Sequence, residues 1–260
     1  MYYTLITGSS QGMGKEMAIK CASLGRNILL VSLPNENLSN TTSYIGEKYN
    51  VKADYLEIDL TKIDSPKNIF EWVKNNNYNV NFLINNAGFG GVGPFEDYSF
   101  EYINLMLDLN IKATTNLTHF FIPELKKNAP SHLLCNASMI ANFPCPYKSL
   151  YAATKTYIKS FTRAIREELK PHNVKVSVLQ PGATPTNEIV RNQIKSGGFF
   201  AKISVTDVKS VAEKAIVKTL KGQAIIIPGF KNRISLKAVK LFPMPLLQKI
   251  LASNTKSMNQ

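Results

Sequence analysis

The chain reads as an α/β protein: a doubly wound parallel sheet with helices on both faces, in a single domain. Three observations carry that reading. A glycine-rich segment, Thr7-Gly8-Ser9-Ser10-Gln11-Gly12-Met13-Gly14, follows directly on an apolar run, Tyr2 to Ile6. Short β-rich runs then alternate with segments of helical period, which argues for parallel strands buried on both faces. Polar or turn-forming residues cluster just after the runs, where the strand ends of such a sheet form its ligand crevice.

The first run, Tyr2–Ile6, feeds the glycine motif, and glycines spaced G-x-x-x-G-x-G between a strand and a helix make a phosphate cradle. Gly8 permits the tight turn, Gly12 lets the backbone approach a pyrophosphate, and Gly14 lets the helix pack close with its N-terminus toward the anion. The second run, Asn27–Ser32, leads to Leu33 and Pro34, and the third, Ala53–Ile58, to Asp59 and Leu60. The fourth, Val80–Ile84, leads to Asn85-Asn86-Ala87-Gly88, and the fifth, His132–Asn136, to Ser138. The sixth, Val174–Leu179, leads to Pro181 and Gly182, and a seventh spans Ala224–Pro228. Helical periods fall near 15–24, 65–76, 99–127, 151–170 and 206–220, and Asn75-Asn76-Asn77 reads as a helix-ending turn. Right-handed crossovers between these runs give a Rossmann-like fold.

At 260 residues, with 44% hydrophobic and 19% charged, the chain can bury one α/β core as a globular domain. Its first apolar run is too short for a signal peptide and no stretch matches a membrane span, so a cytoplasmic protein is expected. Cys21, Cys135 and Cys145 are odd in number and lack ligand spacing, and His119, His132 and His172 are scattered, so no metal site is expected. The net charge of +13 is uneven: 12 Lys/Arg against 2 acids from Lys195 to Gln260 place +10 of it there. A solvated basic surface accounts for this, as would attraction to an anionic membrane or an acidic carrier. No nucleic-acid motif accompanies the charge.

The chemistry lies in Ser138, Tyr151 and Lys155. Tyr151 and Lys155 are four apart in a helix-forming segment and share a face, so the ammonium is expected to lower the phenol pKa from about 10. A tyrosine so tuned can exchange a proton with an alcohol or carbonyl oxygen, which Ser138 can hold by a hydrogen bond. Tyr44 and Lys48 repeat the spacing, but they adjoin no strand end and read as a solvated helix face.

Over residues 1–190 these motifs resemble the short-chain dehydrogenase/reductase family, in order and in spacing. The stretch from Thr7 to Gly14 is similar to its TGxxxGxG. Asp59 matches its adenine-side aspartate, Asn85 to Gly88 its NNAG, and Pro181 to Thr186 its PGxxxT. Asn110 matches the asparagine that holds a water in the proton relay, completing a catalytic tetrad with Ser138, Tyr151 and Lys155. The resemblance implies a nicotinamide cofactor held by Gly8, Ser10, Gln11, Gly12, Met13, Gly14, Ser32, Leu33, Asp59, Leu60, Asn86, Ala87 and Gly88. Pro181, Gly182, Thr184 and Thr186 would meet its nicotinamide end, and Tyr151 and Lys155 would also contact it.

It further implies hydride exchange with a carbonyl or alcohol substrate, 3-oxoacyl, steroid-like or another ketone, and a homo-dimer or tetramer paired through Phe100–Lys127 and Tyr151–Lys170. A non-catalytic dinucleotide sensor or scaffold is the alternative, and it would predict an eroded tetrad. Val31-Ser32-Leu33-Pro34-Asn35 offers no acid to repel a 2′-phosphate and no arginine to bind one, which with the positive charge points to NADP rather than NAD. Met139–Tyr147 and a substrate loop at 187–205, with Ile140, Phe143, Phe199 and Phe200, suggest an apolar pocket, and Ser196-Gly197-Gly198 a lid hinge. The domain is taken to end at 228. Residues 229–260 then form a basic amphipathic extension with Leu246, Leu247, Ile250 and Leu251 on one face, flanked by Lys237, Lys240 and Lys249.

Overall fold

Strands β1 (Tyr2–Thr7), β2 (Asn27–Ser32), β3 (Ala53–Glu57), β4 (Asn79–Asn85), β5 (Ser131–Asn136), β6 (Val174–Leu179) and β7 (Ile225–Ile226) make one sheet. A computed structural model describes residues 1–196, 204–239 and 242–256. The strand order is β3-β2-β1-β4-β5-β6-β7, and each neighbouring pair is parallel. Chain direction across the sheet reverses at β1, where Ile6 pairs with Leu30 on one side and Ile84 on the other. That switch point opens a crevice beyond the strand ends.

Because side chains alternate along a strand, one sheet feeds two cores. Leu5, Leu29, Leu83 and Leu133 face one way and pack with α3 (Ser65–Asn75), α5 (Thr114–Lys127) and α6 (Ser149–Leu169). Ile6, Leu30, Ile84 and Leu134 face the other and pack with α1 (Gly12–Ser23), α2 (Leu38–Tyr49) and α8 (Val208–Leu220). All eight are fully buried, which is why the strands read as continuous apolar runs.

Several elements differ from the sequence expectation. Helix α2 includes the Tyr44–Lys48 face read from the sequence and extends further back than the helical periods above: Ser39, Asn40, Thr41, Thr42 and Ser43 are poor helix formers, and burial of Leu38 and Ile45 makes the segment helical. Its Lys48 ammonium contacts the Tyr44 hydroxyl at 2.5 Å on the exposed face. The long helix expected at 99–127 divides into α4 (Phe100–Leu107), a π-helical stretch at Asp108–Ala113, and α5. The substrate loop contains a helix, α7 (Glu188–Ser196), begun by Asn187, whose Oδ1 accepts the Val190 N–H at 2.9 Å. The seventh strand shortens to two residues.

Beyond the sheet come α9 (Phe230–Val239) and α10 (Met244–Lys256). Buried Asn232 ties α9 down, its Nδ2 donating to the Pro228 carbonyl at 2.9 Å, Thr206 Oγ1 at 3.0 Å and the Ser204 carbonyl at 3.2 Å. In α10 Leu247 and Leu251 are buried while Leu246 is exposed, so the buried stripe is narrower than expected. Gly197, Gly198, Phe199, Phe200 and Lys240 lie outside the described residues.

Candidate active site

A cleft of about 1360 Å³ lies over the carboxyl ends of the strands. All the glycine-motif, strand-end and PGxxxT residues assigned above to the cofactor line it, together with Ser138, Tyr151 and Lys155. Asn110 does not; it is buried beneath the wall.

The cradle is built by backbone contact. A Cβ on Gly14 would lie 2.0 Å from the Gly8 carbonyl oxygen, so α1 can start this close to the β1 turn only at glycine. Asn86 fastens the turn from β4: its Nδ2 donates to the Thr7 and Gly8 carbonyls at 3.0 and 3.1 Å, and its Oδ1 accepts from Asn136 Nδ2 at 3.0 Å. Thr7 Oγ1 accepts the Asn86 and Ala87 N–H groups at 3.0 and 3.1 Å. A glycine-lined gap at a helix N-terminus in a cleft of this size fits a dinucleotide.

At the β2 end the sequence reading needs a correction. It stopped at Asn35 and found no acid, yet Glu36 lines the cleft. Its Oε2 accepts the Ser10 hydroxyl in a short contact and the Ser32 hydroxyl at 2.7 Å, and Ser32 Oγ lies 3.0 Å from Ser10 Oγ. Reading one residue further into the loop would have found it. On the next strand end, burial pulls the Asp59 carboxyl up, but the Thr61 N–H and hydroxyl, at 2.9 and 2.7 Å, and the Lys62 ammonium outweigh it and leave the group below its usual range.

At the catalytic end, Lys155 is buried and donates to the Asn136 backbone carbonyl at 2.8 Å, and burial brings its ammonium down to about 8. Burial pushes the Tyr151 phenol up, and a hydrogen bond with the Ser138 hydroxyl only partly opposes this. The expected lowering of the phenol pKa by Lys155 is therefore corrected: desolvation raises it, and the opposing influence is the Ser138 hydroxyl, not the Lys155 charge. Gly90, which the sequence reading passed over, is required here too, since a Cβ on it would sit 2.7 Å from the Tyr151 ring.

Asn110 lies in the π-helical stretch, an irregularity frequent at functional sites. Its amide is spent on protein partners: Oδ1 accepts the Phe89 N–H at 3.1 Å, while Nδ2 donates to the Phe89 carbonyl at 2.9 Å and Thr154 Oγ1 at 3.1 Å. The side chain thus clamps the Asn86–Gly90 loop to α6.

The far end of the cleft is mainly apolar. Val92, Tyr102, Ile140, Phe143, Val190, Leu236 and Leu251 line it, and the last two bring in the C-terminal helices. Sequence reasoning missed that closure, because α10 reaches the cleft only through the fold: Thr255 Oγ1 lies 3.7 Å from Cys145 Sγ. Lys148, like Glu36 and Gly90, lines the cleft without having been singled out in the sequence. Among the described residues no cluster of His, Cys, Asp or Glu could hold a metal ion.

The fold and this cleft define a dinucleotide-binding oxidoreductase of the α/β class. A family profile, short chain dehydrogenase, matches residues 3–196, and the chain belongs to that family. It is 28% identical over 182 residues to an uncharacterized oxidoreductase of Staphylococcus epidermidis, covering 70% of this chain and 77% of that protein. A very-long-chain 3-oxoacyl-CoA reductase of Vanderwaltozyma polyspora is 31% identical over 188 residues, 68% of this chain, and the chain spans about half of that protein (54%). The fold is shared with a short-chain dehydrogenase from Sphingobium yanoikuyae in complex with NADPH, at a TM-score of 0.80, 24% identity and 92% coverage of both chains.

Proposed function

We propose that this short chain dehydrogenase reduces an apolar ketone, or oxidises the matching alcohol, with Tyr151 as the proton-transfer group. The single observation that carries this is Tyr151 on the wall of the cleft, hydrogen-bonded to Ser138 and sharing that cleft with the glycine cradle. With its pKa raised above the ordinary phenol value, Tyr151 is protonated at neutral pH and holds at its oxygen the proton that a reduced carbonyl must receive. Ser138 orients the substrate oxygen. Lys155, on the same helix face, steadies the phenolate left behind and stands ready to meet ribose hydroxyls. The nicotinamide supplies the hydride when bound. The relative named as a 3-oxoacyl-CoA reductase supports an acyl or similarly apolar ketone.

For cofactor choice, the NADPH-bound structural relative and the basic chain support NADP, and Glu36 opposes a 2′-phosphate. Pairing through α4, α5 and α6 fits the exposed Phe100, Leu105 and Tyr157. A peripheral contact with an anionic membrane fits exposed Phe230, Ile234, Phe242, Met244 and Leu246 beside exposed Lys231, Arg233, Lys237 and Lys249. No described helix is long and apolar enough to cross a membrane. Three buried unpaired cysteines suit a reducing compartment such as the cytoplasm. We also read 1–228 as the catalytic domain, with 229–260 as an extension that walls its cleft.

The deciding experiment is a titration with NADH and NADPH followed by a panel of apolar ketones and alcohols. Tight binding without turnover of any carbonyl would favour a dinucleotide sensor and sink the enzymatic reading.

A further inference from the structure

The substrate end of the cleft contains a cation that the proton-transfer chemistry does not use. Lys148 stands three residues before Tyr151, immediately ahead of α6, and lines the cleft. Its place is fixed by backbone bonds: its N–H donates to the Cys145 carbonyl at 3.2 Å, and its own carbonyl accepts the Ala152 N–H at 2.8 Å. The preceding residue, Tyr147, adopts a left-handed φ of 61°, and its carbonyl accepts the Gly93 N–H at 2.8 Å, locking the turn against the opposite loop. This strained, doubly anchored turn holds Lys148 at the cleft.

Among the described residues no ion pair supplies this ammonium with a counter-charge. The ion pairs among the described residues are Lys62–Asp59, Lys67–Glu71, Lys74–Glu124 and Lys112–Asp108, and Lys148 is in none of them. The one acid near the substrate end, Asp97, is exposed and makes no ion pair. The ionisable neighbour of Lys148 is Cys145, a buried thiol whose pKa is pushed up by burial and which therefore stays neutral. Apolar Phe143 and Leu251 lie along the same end of the cleft. Lys148 is half-buried in the cleft wall, and this partial burial lowers its ammonium below its ordinary range. An anion entering the cleft would supply the charge that its surroundings lack.

We propose that the substrate carries an oxyanion, a carboxylate or a phosphate ester, besides its carbonyl, and that Lys148 receives this anion while the carbonyl oxygen lies at Ser138 and Tyr151. This deepens the ketone reading above and rests on it. It narrows the substrate class from apolar ketones to apolar ketones with an acidic group, and makes Lys148 the residue that discriminates them from neutral ones.

The test separates this from the oxidoreductase reading because its first readout needs no turnover. The full chain, and its Lys148→Gln and Lys148→Arg variants, are titrated with decanoate, decyl phosphate and the matched neutral decan-1-ol. Wild type should bind at least one anion about tenfold more tightly than the alcohol. Lys148→Gln should lose that advantage, Lys148→Arg should keep it, and decanol affinity should be the same in all three, which also reports that each variant is folded. The better of the two anions identifies the source. Equal affinity of wild type for anions and alcohol overturns the proposal, as does an advantage that survives in Lys148→Gln. Turnover is then compared for 9-oxodecanoate and its methyl ester. Reduction of both without preference removes the anion proposal and leaves the oxidoreductase standing. Reduction of neither removes the ketone reading, while the titration still decides Lys148.

Discussion

The Lys155 ammonium stands 5.8 Å from the centroid of the Tyr151 ring and donates its hydrogen bond to the Asn136 carbonyl, not to the phenol. Proximity in sequence therefore places the two side chains on one face but does not pair them head to head. Desolvation holds the phenol above its ordinary range, with the Ser138 hydrogen bond as the opposing influence.

Tyr151→Phe should lower turnover of a ketone by about 10²–10⁴-fold, the range for a general acid, with cofactor affinity within about twofold of wild type. Lys155→Met should weaken both. Steady-state kinetics and a fluorescence titration check this, and retained turnover in the phenylalanine variant would remove Tyr151 from the mechanism.

Glu36→Gln should tighten NADPH by about tenfold and leave NADH nearly unchanged. The carboxylate is held by Ser10 and Ser32 in the cleft wall at the β2 end, where the proposed reading puts the adenosine ribose, and a tenfold change corresponds to about 1.4 kcal/mol. If the two cofactors respond alike, Glu36 does not face the ribose.

His132 gives the chain an acid-sensitive window. The imidazole is buried in β5, its Nδ1 has no hydrogen-bond partner among the described residues, and burial pushes its pKa down from 6.5 to about 4. Between these values the unfolded chain binds the proton and the folded chain does not, so stability falls as pH drops through the window and levels off below it. The loss from this group is on the order of 3 kcal/mol. Thermal unfolding from pH 7 to 4 should slope less in His132→Phe than in wild type, and equal slopes would assign the acid sensitivity elsewhere.

Asn110→Ala should cost about 1–3 kcal/mol of stability, since it leaves the half-buried Phe89 backbone groups without these partners. The loop beside Tyr151 should loosen with it, read as faster amide exchange at Phe89 and Gly90 alongside a denaturant midpoint. Unchanged exchange would show that the clamp is redundant.

Light scattering at micromolar concentration should give a multiple of 29.0 kDa, with pairing through α4, α5 and α6. A single 29.0 kDa species would leave the exposed Phe100 and Leu105 without that explanation.

The sheet, its parallel strands and the cradle were legible in the sequence because local rules set them. Leu29 and Leu30 must both be apolar when helices cover both faces, and the positions of Gly8, Gly12 and Gly14 follow from one strand-turn-helix unit. Ser138, Tyr151 and Lys155 were legible for the same reason, since a strand end and the helix after it bring them together without help from the rest of the chain. Four features were decided only by tertiary structure. Burial raised the Tyr151 phenol pKa, and Glu36 reached across from the β2 loop to Ser10. The π-helical stretch turned Asn110 to Phe89, and α10 returned from the C-terminus to close the cleft at Cys145. Each depends on groups from distant parts of the chain sharing one desolvated space. Sequence spacing encodes which residues share a face of one element, but the dielectric and the partners that each side chain meets exist only once the elements have packed.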